Sequence, residues 1–162
     1  MIRSLLVAGL AAASASALAQ PASLPERMAG SYERRSGDRL EIVPHGTGTA
    51  YFALSLAFAN GHECNISGIA SAFGDALTYD SPGEGGRCTL TLRHAADGIR
   101  VHEGANEACR SRTCGARGRY GVEPGARPDF RASERRPITD PARLRASEEY
   151  RAAVREHTAP RR

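Results

Sequence analysis

Residues 51–58 alternate strictly, with Phe52, Leu54, Leu56 and Phe58 at every second position and Tyr51, Ala53, Ser55 and Ala57 between them. Period two puts the large residues on one face of a β-strand, whereas on a helix they form no single stripe. Shorter runs follow the same rule. Leu40 and Ile42 alternate with Arg39, Glu41 and Val43 until Pro44 ends the run. Cys64, Ile66, Gly68 and Ala70 share a face, Leu77 and Tyr79 mark a return strand, and Cys88, Leu90 and Leu92 alternate with Thr89, Thr91 and Arg93. Gly46-Thr47-Gly48, Asn60-Gly61, Gly74-Asp75, the Gly-rich stretch 81–86 and Asp97-Gly98 supply turns between them. A two-residue turn at Asp97-Gly98 pairs Ala96 with Ile99, His94 with Val101 and Leu92 with Glu103. Cys88, Leu90 and Leu92 then face the same side as Ile99 and Val101, an agreement that a one-residue slip destroys. Residues 119–122 predict a last strand.

The two ends of the chain differ from this middle. Arg3, an apolar run over residues 5–18 and Ala17-Leu18-Ala19 before Gln20 predict a secretory signal peptide over 1–19. Residues 20–29 are a lead-in. From Pro124 the composition turns to Pro and Arg, and Asp140-Pro141 forms an N-cap and first-turn pair. Ala142, Ala146, Tyr150 and Val154, spaced by four, predict a helix over about 141–157. The expected class is mainly β: a small antiparallel meander closed into a calycin-like barrel over 30–123, because closure removes exposed strand edges. An Arg-rich linker, the helix and a tail occupy 124–162.

Charge sharpens the division. Residues 127–162 hold ten Arg against six acids, while residues 20–126 hold eleven Arg against twelve. The barrel is near neutral and the tail basic, so tail contact with an anionic surface is one expectation. All 22 basic residues are arginine, which points to a GC-rich bacterial genome. With a signal peptide and no later stretch long enough to span a bilayer, the expected location is periplasmic or secreted, without nucleic-acid partners or a transmembrane segment.

Cys64, Cys88, Cys109 and Cys114 form an even set in an exported chain, hence a disulfide framework. Cys109 and Cys114 are close enough in sequence to close a local loop, which leaves Cys64 with Cys88. We take that sequential pairing as the expectation, with the Gly-rich loop displacing the strand between Cys64 and Cys88. The hairpin register favours the other solution, Cys88 with Cys109 and Cys64 with Cys114. Zinc needs a second closely spaced pair to match Cys109 and Cys114, and the chain has none. No Gly-x-Ser-x-Gly or His-Glu-x-x-His motif occurs, so catalytic residues, metals and cofactors are all expected to be none.

Gly30-x-Tyr32, Cys64-x3-Gly68-x-Ala70, Tyr79, Cys88-x-Leu90-x-Leu92 and Cys109-x4-Cys114-Gly115-Ala116-Arg117-Gly118 together resemble small exported bacterial β-domains. These are the domains associated with the LprI-type and MliC-type lysozyme inhibitors. The resemblance covers residues 30–121. Residues 115–120 are similar to the Ser-Gly-x-x-Tyr inhibitory loop of the MliC type, with Cys114 in place of the serine and Arg119 as an extra residue before Tyr120. The half of that pattern containing Trp and Lys has no counterpart. The resemblance implies inhibition of a lysozyme-like hydrolase. Arg110, Arg112, Arg117 and Arg119 independently make a compact set of guanidiniums suited to carboxylate or phosphate. With Tyr120 they are the candidate binding residues for an envelope or host protein. The alternatives are a carrier of a small apolar ligand lined by Phe52, Leu54, Leu56 and Phe58, or an envelope structural protein.

Overall fold

The computed structural model describes residues 21–58, 61–115, 118–121 and 129–160. The predicted signal peptide, Asn60 of the predicted turn and Arg117 therefore lie outside the described residues. The strands are β1 (Gly30–Glu33), β2 (Arg39–Gly46), β3 (Thr49–Ala57), β4 (Glu63–Phe73), β5 (Ala76–Ser81), β6 (Cys88–Ala95), β7 (Gly98–Glu103), β8 (Phe130–Arg131) and β9 (Arg135–Arg136). The helices are α1 (Leu24–Met28), α2 (Ala108–Thr113), α3 (Pro141–Arg145) and α4 (Glu148–Thr158). All nine strands among the described residues belong to one antiparallel sheet, ordered β8-β7-β6-β5-β4-β3-β2-β1-β9. Its two outermost members, β8 and β9, are joined only by the 3-10 turn Ala132–Glu134, so this segment brings the two edges together in a nearly closed barrel.

Alternation carries the core as expected. Phe52 and Leu54 are buried inside, and Leu56 and Phe58 pack against the same cluster as Leu40, Ile42, Leu77, Leu90, Leu92, Ile99 and Val101. The Leu24-x3-Met28 face of α1 enters this core from the lead-in. Ser23-Leu24-Pro25-Glu26 is a capping box, with the Ser23 amide donating to Glu26 at 2.7 Å.

The β6–β7 hairpin departs from the predicted register by two residues. Ala95 pairs with Gly98, Leu92 with Val101 and Leu90 with Glu103, so Ala96 and Asp97 form the turn. The even shift keeps every inward side chain inward. The shift places Gly98 in the strand, where it pairs with Arg131 and the absence of a side chain lets the β8 backbone lie close beside it.

The predicted C-terminal helix is two helices, broken where Ser147 caps α4 by accepting from the Tyr150 amide at 3.1 Å. Helix α4 docks on the outside of the barrel. Tyr150 and Ala153 are buried against Tyr51 and Ile69, the outward-facing members of β3 and β4. At its far end Glu156 accepts from the hydroxyls of Tyr79 and Ser81. Strand β5 pairs with β4 only at 76–78 and then stays with β6, and the Tyr79 ring lies against Gly68 of β4, where a Cβ would overlap it.

His45 holds the docked helix through Nδ1, 2.7 Å from the Tyr150 hydroxyl. Burial, with positive charge from His157 and Arg145, lowers the His45 pKa below the ordinary histidine value. A folded-state pKa below the unfolded value means that stability is present above about pH 6.5 and is lost as pH falls below it. The thermal midpoint is therefore expected to drop between about pH 7 and 5, with a smaller drop in His45→Gln. Equal pH slopes for the two proteins overturn this assignment.

Candidate functional site

Two disulfides organise the end of the barrel where α2 sits. Cys64 is bonded to Cys114 and Cys88 to Cys109. The sequential pairing is thus incorrect, and the pairing favoured by the hairpin register is the one formed. The Gly-rich loop does not carry the intervening strand away: Ser81 of β5 remains paired with Cys88 of β6. Instead α2 spans the end of the barrel, and each of its ends carries a cysteine to a different strand. Two disulfides fit an oxidising, extracytoplasmic environment, and they consume all four sulfurs.

Local chemistry fixes α2. Asn106 Oδ1 accepts from the Ala108 amide, and Glu103 accepts from the Arg110 amide at 2.7 Å. Glu103 thereby satisfies an orphan donor of the first helical turn. Its partner across the ladder is Leu90 rather than Leu92.

Beyond α2 the chain is pinned at successive points. Cys114 bridges Cys64 across the backbone, and the Gly115 amide donates to the Glu63 carbonyl at 3.0 Å. Gly118 lies against the disulfide, where a Cβ would come within 2.5 Å of Cys64 Sγ. Tyr120 is buried, and its hydroxyl is hydrogen-bonded to Thr113 Oγ1. Burial pushes its pKa up to about 12, so the phenol stays protonated. Gly121 makes a single bridge to His102, the one described trace of the strand predicted over 119–122.

The candidate residues have different fates. Arg110 is half-buried and paired with Glu107 at 2.9 Å. Arg112 donates to the carbonyls of Ala108, Ser81 and Pro82, tying the β5–β6 loop to α2. Arg119 is exposed, and Tyr120 points inward as an anchor. The described arginines therefore do not act as one surface: Arg110 and Arg112 brace the scaffold and Arg119 is exposed, while Arg117 lies outside the described residues. Sequence reasoning assigned these guanidiniums equal roles because spacing carries no information about which carbonyls lie nearby.

A second basic feature lies at the barrel seam. Arg34, Arg35, Arg131 and Arg136 line a concavity of about 650 Å³ together with Glu33 and Glu134. Among the described residues no group of three or more His, Cys, Asp and Glu is arranged to hold a metal ion. None of the described helices is long and apolar enough to cross a membrane. No family model, curated protein or solved structure matches this chain.

Proposed function

We propose that the protein is an exported, periplasmic or secreted binding protein without catalytic activity, and that it inhibits a lysozyme-like hydrolase. The contact is made by the loop between Cys114 and Tyr120. The observation that carries this reading is that the loop is anchored at both ends, by the Cys64–Cys114 disulfide and by buried Tyr120. A loop whose ends are fixed loses little entropy on binding. It would present Arg117 and Arg119 to a cleft that carries paired carboxylates, the arrangement glycosidases use.

Packing supports surface recognition over a ligand inside the barrel. Phe52, Leu40, Ile42, Leu77, Leu90 and Leu92 are fully buried in the interior. The concavities of about 250–800 Å³ are lined mainly by outward strand positions, rim turns and the C-terminal segment, with Leu54, Ile66 and Tyr79 the core members that reach them.

The test is a lysozyme assay with micromolar protein whose disulfides are verified. Inhibition is expected, and Arg117→Ala/Arg119→Ala should raise the inhibition constant at least ~10-fold, as loss of an interface arginine does. Unchanged lysozyme activity in the presence of the oxidised protein rejects the proposal.

A further inference from the structure

We propose that the concavity at the barrel seam binds a phosphate-bearing anion, independently of the inhibitory loop. Two turns form it, and each is held by its own hydrogen bonds. In the β1–β2 turn, buried Asp38 accepts from Arg34 Nη1 at 3.2 Å, Ser36 Oγ at 2.7 Å and the Ala57 amide at 2.9 Å. The Gly37 amide donates to the Arg34 carbonyl, which closes that turn. In the closing segment, the Arg131 amide donates to Glu134 at 2.8 Å and Arg136 Nη1 donates to the Ser133 carbonyl at 2.9 Å. The Ser31–Arg136 and Tyr32–Arg135 backbone pairs dock one turn beside the other.

The charge of this site is not balanced from within. Four guanidiniums line the concavity with the carboxylates of Glu33 and Glu134, and one of the four, Arg34, is already paired with Asp38. The Glu134 carboxylate serves a backbone amide. The side chains of Arg35 and Arg131 make no hydrogen bond or ion pair among the described residues, and both are exposed. Two unengaged forks, one on each turn, offer N–H donors to the same concavity. That geometry suits the several equatorial oxygens of a phosphate better than a single carboxylate. Four guanidiniums against the carboxylates of Glu33, Glu134 and Asp38 leave one net positive charge, which favours an anion. Fixed turns hold the backbone under these side chains in place before the anion arrives, so binding orders only the arginine side chains themselves.

The source of the phosphate, free or in a lipid headgroup, is separated by two arms of one experiment. The isotope-labelled mature protein is titrated with inorganic phosphate at low ionic strength, and amide shifts are followed. In parallel it is sedimented with phosphatidylglycerol vesicles and with phosphatidylcholine vesicles. We expect shifts in residues 35–37 and 133–134, preferential sedimentation with the anionic vesicles, or both. Arg35→Gln/Arg131→Gln should weaken the response at least ~10-fold while keeping the melting temperature, because neither side chain supports the fold. Arg110→Gln/Arg119→Gln should leave it unchanged. A response to phosphate assigns a soluble ligand, and a response to vesicles alone assigns a headgroup. The site is rejected if neither probe produces a response, or if both double variants lose it equally.

Discussion

Removing both disulfides is expected to unfold the barrel under conditions where the oxidised protein is native. The Cys64–Cys114 bond closes a separation of 50 residues and the Cys88–Cys109 bond one of 21. Chain-entropy arguments give ~4 kcal/mol for the first and ~3 kcal/mol for the second. Together these approach the roughly 5–15 kcal/mol of net stability available to a domain. The bonds are not independent, because both tether α2 and the chain beyond it. With either one intact, α2 still caps the barrel end, and Ala108 and Tyr120 remain in the core. With neither, that end of the core loses its cover at once. Single-pair replacement by alanine should therefore lower the urea midpoint by an intermediate amount, more for Cys64 and Cys114 than for Cys88 and Cys109. The double-pair variant should show no cooperative transition. A double-pair variant that keeps the wild-type midpoint overturns this account.

The cysteines also show what the sequence made legible. Each of Cys64 and Cys88 begins an alternating run, so their inward direction followed from period two and holds in the structure. Pairing required knowing where α2 would lie. Its six residues are too short to leave a periodic signal, and nearness in sequence pulled toward the wrong partner. The register argument succeeded although its turn was misplaced, since a shift of two preserves which face each residue occupies. Closure was less legible. Strands β8 and β9 contribute two residues each, and their Phe-Arg and Arg-Arg sequences hold no alternation to read. Phe130 was the available clue: a lone aromatic in an Arg-rich stretch, it is fully buried and packs edge-on to Tyr32 with ring centroids 6.4 Å apart. For the candidate loop, composition located the arginines and the cysteine frame. It could not show that Arg112 would be held by the Ser81 carbonyl or that Tyr120 would turn inward.

Gly98→Ala is expected to open the seam, and a second glycine separates the reasons. Gly98 has φ +149°, a conformation that side-chain-bearing residues rarely adopt. A Cβ there would overlap the Phe130 carbonyl oxygen and approach Arg131 Cα at 2.9 Å. Both obstacles are backbone atoms of β8, so no rotamer change relieves them. Backbone strain of ~1–3 kcal/mol and overpacking of a similar size add to a cost of ~2–6 kcal/mol. Gly48 has φ +75° with nothing within 4 Å of its Cβ position, so Gly48→Ala carries the conformational term alone, about 1–2 kcal/mol. If β8 closes the barrel, Gly98→Ala should lose more stability than Gly48→Ala by ~2 kcal/mol or more in urea unfolding. Amide exchange should accelerate at Ile99 and Phe130 and leave the β3–β4 ladder protected, because the damage begins at one edge of the sheet. Equal losses for the two variants mean that β8 yields without cost, and the segment 130–136 is then a loose cover rather than the closing strand.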